Sequence, residues 1–143
     1  MSTKLIYLIL WSIFLSGCLS TNENSIVPES KIKNDQLQKE KQQRQKKCDE
    51  HREMMRYALS YVMTEFEKGY FEHSDIVGAK AQLFLIKNKS QSLFAKNIND
   101  AENSYTTQYQ LAQKEKCDLQ DLSISPLTKV KNTIKVLDDA VSL

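Results

Sequence analysis

A step of three or four between apolar residues recurs from Met55 to the end of the chain, and it constrains the fold more than any other feature. Met55, Leu59 (with Ala58), Val62 and Phe66 rise by four, three and four. Leu127, Val130, Ile134, Leu137 and Val141 rise by three, four, three and four. This spacing places one stripe of a helix toward a core and does not match the alternation of a half-buried strand. Only three glycines occur in 143 residues. That is too few for a hairpin-rich β fold and leaves no phosphate-cradling loop. The fold class is all-α, a small bundle of four to five helices.

The first core helix is expected over Cys48–Lys68, ended by Gly69 as a left-handed cap. Ser74 is placed to cap a second helix over Asp75–Lys87, whose face is Ile76, Ala79, Leu83 and Ile86. Phe84 and Leu85 widen that face and suggest burial on two sides. Asn88-Lys89-Ser90 breaks the pattern, and Leu93, Phe94 and Ile98 suggest a brief third helix. Asn99 and Glu102 have the spacing of a capping box, so a fourth helix is expected to open there and end near Cys117. Ser125-Pro126 opens the last helix, with Pro at its first position. Val136 falls outside its apolar stripe.

The N-terminus has a different character. Lys4 precedes an apolar run from Leu5 to Phe14, and Leu15-Ser16-Gly17-Cys18 follows. A charged start, a short apolar stretch and a small-residue site form the order of a secretory signal. The run is about half the roughly 20 residues that a spanning helix needs. Because the motif ends in cysteine, it resembles the lipobox of bacterial lipoproteins. The resemblance implies cleavage of residues 1–17 and acylation of Cys18. Leu19, where Asp would favour the inner membrane, implies the outer membrane, with the protein facing the periplasm on an acyl anchor. Acyl chains contribute about 0.8 kcal/mol per buried CH₂, and more than one makes anchoring stable. Residues 18–47 read as a lipidated N-terminus, a polar tether over 19–33 and a basic, helix-favouring stretch from Asn34 to Lys47 with almost no apolar face, either a solvated helical extension or a disordered spacer. Its cations suit a solvated surface or contact with anionic headgroups or peptidoglycan. Residues 48–143 form the bundle domain.

With Cys18 taken by lipid, Cys48 and Cys117 remain. An oxidising compartment makes a disulfide the expected outcome, with two buried thiols as the alternative. Antiparallel helices would then bring Cys117 beside Cys48 after two or four crossings, and the break near Asn88 together with the cap at Asn99 favours four. No metal site is expected: Cys48 and His51 have ligand-like spacing, but the second half of a zinc pattern is missing.

Catalytic motifs are absent from the sequence. His51 and His73 lie on different elements, and Glu65 and Glu67 point in different directions on one helix. No cofactor is implied, and a formal charge of +2 gives no reason to expect nucleic acid. The expected role is binding, not catalysis. Two tyrosine pairs at helical spacing, Tyr57 with Tyr61 and Tyr105 with Tyr109, are candidates for core edges or for the border of a partner-binding groove.

A lipobox, a polar tether, a small helical bundle and Cys48 paired with Cys117 together resemble the all-helical pilotins of type II secretion. The aromatic corner at Gly69-Tyr70 fits the same pattern. The resemblance implies a protein partner, the C-terminal segment of a secretin subunit, held as a helix in a groove while the lipid carries the subunit to the outer membrane. The alternatives are an exclusion or immunity-type envelope lipoprotein, or a structural lipoprotein of the envelope.

Overall fold

The computed structural model describes residues 29–141, with side chains from 33 onward. The expected signal peptide, the expected lipidation site Cys18 and residues 19–28 of the expected tether lie outside the described residues. The elements are α1 (Glu29–Gly69), a 3₁₀ turn (Phe71–His73), α2 (Ile76–Lys87), α3 (Leu93–Lys114), a 3₁₀ turn (Gln120–Leu122) and α4 (Pro126–Val141). No strand occurs among the described residues. The chain divides into two compact units at Asp35/Gln36. The described part of the first, residues 29–35, is helical, so the polar tether does not extend to residue 33 as expected.

From Gln36 to Lys47 every α1 residue is exposed; Cys48 is the first buried one. The apolar period starts at the same place, and the helix N-terminal to it has no stripe to bury. From Cys48 on, α1 packs antiparallel to α3. Lys47 Nζ lies 3.2 Å from Glu115, His51 Nδ1 is 2.7 Å from Gln108, and the Phe66 and Phe94 rings are 5.8 Å apart. As the α1 number rises, the α3 number falls, which defines a helical hairpin. Cys48 and Cys117 form a disulfide at its open end, with Cα atoms 5.5 Å apart.

Two apolar clusters fill the interior. The cluster near the disulfide holds Met55, Ala58, Tyr105, Ala112 and Leu122. The far cluster holds Val62, Phe66 and Phe71 with Ile76, Ala79 and Ile86 of α2, Ala95 and Ile98 of α3, and Val130 and Ile134 of α4. No polar or charged residue is buried among the described residues. The final helix therefore packs on the bundle.

Four helices are present among the described residues, one fewer than the upper expectation. Leu93 to Lys114 is continuous and opens at Ser92, whose hydroxyl accepts from the Ala95 N–H at 3.2 Å. The expected break at Asn99 is absent because Asn99 and Glu102 act on neighbouring helices. The Asn99 amide donates to the Ile86 carbonyl at 3.1 Å, closing the C-terminus of α2. The Glu102 carboxylate accepts from the Leu127 N–H at 3.0 Å, capping the N-terminus of α4. Two crossings, not the expected four, bring Cys117 beside Cys48. α1 and α3 alone traverse the length of the hairpin. The 12-residue α2 is spent within the far cluster: it begins beside Phe71 and ends where Asn99 meets Ile86.

Two helix ends also differ from expectation. Asp75, not Ser74, caps α2, and its carboxylate accepts from the Gly78 N–H at 2.8 Å. A Cβ on Gly78 would clash with that carboxylate. Gly69 does not adopt positive φ; Ser74, Lys89 and Lys116 do. Each of these three follows a helix end and is spanned by paired returns of the Schellman type, such as Cys117 N–H to the Ala112 carbonyl and Lys116 N–H to the Gln113 carbonyl, both 3.0 Å. That turn delivers Cys117 to Cys48.

Candidate functional site

The tyrosines do not form one border. Tyr105 is buried at 2% exposure, and its hydroxyl donates to the Leu122 carbonyl at 2.5 Å, with the Ile124 carbonyl 3.2 Å away. Burial, then the nearby Tyr109, Glu102 and Asp121, push its pKa up to about 12. Tyr109 stacks beside it at 6.4 Å, and both belong to the cluster near the disulfide. Tyr61 packs on the far cluster, and Tyr57 is 76% exposed. No ring contact joins the α1 pair to the α3 pair among the described residues. Tyr105 and Tyr109 do line a small pocket of about 120 Å³ with Ser123 and Ser125.

The disulfide end is latched by polar contacts as well. Arg56 bonds Asp121 at 2.8 Å, and this bond holds the Asp121 carboxyl below the usual carboxylate range. Arg52 bonds Asp49 at 2.6 Å and reaches the Asp118 carbonyl at 3.5 Å. These exposed pairs contribute little individually. Their effect is to tie the segment after Cys117 to α1.

The opposite end offers a more open surface. Ile76, Ala79 and Ile86 of α2 face the core, yet the outer side of the same helix carries Val77 (79% exposed), Ala81, Phe84 (65%) and Leu85. Their spacing of four, three and one is a second helical stripe. A helix that is apolar all round is normally buried all round. Here the second face meets solvent, contrary to the burial on two sides expected from Phe84 and Leu85. That spacing was legible, but its exposure was not.

Phe84 also leads from this stripe into a groove between α2, α3 and α4. Leu83, Ile86 and Leu127 line its apolar part, and Lys87, Lys89 and Lys131 stand at its rim. Its volume is about 240 Å³, below the roughly 300–1,000 Å³ of enclosed small-molecule sites. A polar hollow of about 350 Å³ continues from it past Lys89 and Asn99 to Lys96 and Asn103. The arrangement suits a side-chain face laid along α2 better than an enclosed ligand. Periodicity alone could not locate this groove, since its residues come from three helices.

Among the described residues no group of three or more His, Cys, Asp or Glu could hold a metal, and no helix is long and apolar enough to cross a membrane. Comparison with protein-family models, curated proteins and solved structures gives no match.

Proposed function

We propose that this protein is an outer-membrane lipoprotein, anchored through acylated Cys18 and facing the periplasm, that binds a helical segment of a protein partner across α2. The observation that carries the reading is the exposed apolar stripe Val77–Ala81–Phe84–Leu85 running into the groove at Leu83 and Leu127. Two apolar faces on one short helix, only one of them used by the bundle, suit a docking surface. The pilotin resemblance supplies the partner: the C-terminal segment of a secretin subunit. No catalytic step or cofactor enters this reading.

The test has two parts. Cys18→Ser should abolish acyl labelling and shift the protein out of the outer-membrane fraction. Phe84→Glu should leave the fold intact and reduce secretin co-purification from solubilised outer membranes by more than about tenfold, as loss of an interface anchor does. Unchanged co-purification would overturn α2 as the docking element.

A further inference from the structure

We infer that the segment docking on α2 is an amphipathic helix with carboxylates along the edge that meets Lys87, Lys89 and Lys131. This rests on the groove being a docking site. The three lysines come from α2, the turn after it and α4, and they surround one apolar strip. None is in an ion pair among the described residues. Lys80, on the same helix but outside the groove, is compensated by Asp138 at 2.7 Å.

The concentration of positive charge is local. Over residues 48–143 acidic side chains outnumber basic ones, so this rim runs against the balance of the bundle. Ammonium groups gathered at one rim repel one another within a Debye length of about 8 Å. An apolar face seated between them would cover Phe84 and Leu83 and lower the dielectric around the ammonium groups. Carboxylates on that helix, three or four residues apart, would then be held more strongly than in open solvent, and cations in the same places would be rejected. The neighbouring hollow carries both signs, Lys96 and Asp100, so the unbalanced positive charge is confined to the rim at Lys87, Lys89 and Lys131.

Three labelled synthetic helices sharing one apolar face and carrying Glu, Gln or Lys on its flanks would be titrated into the purified full chain. The Glu peptide is expected to bind at least about tenfold more tightly than the Lys peptide, since like-charge contacts are strongly unfavourable. The preference should shrink between about 50 and 500 mM salt. The double variant Lys89→Glu/Lys131→Glu, altered only at exposed positions, should reverse it while keeping its helicity. Equal binding of the three peptides would overturn the acidic partner and leave the docking site standing. An acidic preference insensitive to the double variant would place the charged site elsewhere and overturn the inference. Failure of every peptide to bind would overturn the docking reading as well. Displacement of the Glu peptide by phosphatidylglycerol vesicles but not by phosphatidylcholine vesicles, with vesicle binding lost in the double variant, would replace the protein partner with an anionic membrane surface.

Discussion

At one end of the α1–α3 hairpin Cys48 is bonded to Cys117, Arg56 reaches Asp121, and the Tyr105 hydroxyl is committed to the Leu122 carbonyl. At the other end the core is larger and purely apolar, and a short helix lies in it with its second face uncovered. The first end closes a small cluster by covalent and polar means. The second relies on burial and leaves apolar surface over. Burial stabilises both ends, but only at the second does a core helix keep an apolar face uncovered, so substitutions on that face should leave the fold unchanged while those beneath it should not.

The largest effect is expected at the disulfide. The Cys48→Ala/Cys117→Ala double variant frees a loop closed across 69 residues and should lose roughly 4 kcal/mol in urea unfolding, in the chain-entropy account. At the far end, Ile98→Ala removes a fully buried side chain and should cost about 3 kcal/mol by the same measurement. A loss below about 1 kcal/mol would show that α2 can collapse onto the space, and that the far cluster is looser than its burial suggests.

Tyr105→Phe should cost about 1–2 kcal/mol near neutral pH, because the Leu122 carbonyl loses its donor. It also tests the alkaline limb. The Tyr105 pKa is raised in the folded chain to about 12 from an ordinary value of 10.0. Its contribution is therefore fully present below pH 10 and is lost as pH rises toward 12, because the unfolded state ionises first. Tyr105→Phe should flatten the fall in stability across that window. Burial also raises the Tyr70 pKa, so part of the slope should remain.

Lys116→Gly should raise stability by about 0.5 kcal/mol, since φ is 58° there and glycine adopts it without steric cost. The smallest effect is expected from Phe84→Gln, less than about 0.5 kcal/mol, as for a surface change away from packed features. A large loss at Phe84 would erase the contrast between the ends, making the outer face of α2 part of the fold.

The all-α class, the Pro126 helix start, the stapled cysteines and the core stripes, apart from Val141 at 77% exposure, were legible in the sequence because each depends on residues close in the chain or on the chemistry of a side-chain type. Asn99 and Glu102 show where local reading stops. Their spacing signals helix capping, and capping is what they do, but for α2 and α4 in place of their own helix. A capping side chain bonds whichever orphan N–H or C=O the packing presents. The number of crossings differs from expectation for a related reason: the contacts confine α2 to one end, so it is not a full traversal.

Propensity and periodicity are properties of a few turns, so they marked which faces are apolar and where most helices run, but not that Leu93–Lys114 continues without a break at Asn99. The tertiary structure alone decided which apolar face is used. Ile76 and Val77 are adjacent and similar in chemistry, yet one is 9% exposed and the other 79%. The groove is likewise non-local, because Leu83, Asn99 and Leu127 meet only after three helices have packed. Burial is a property of the partner surface, and that surface comes from elsewhere in the chain.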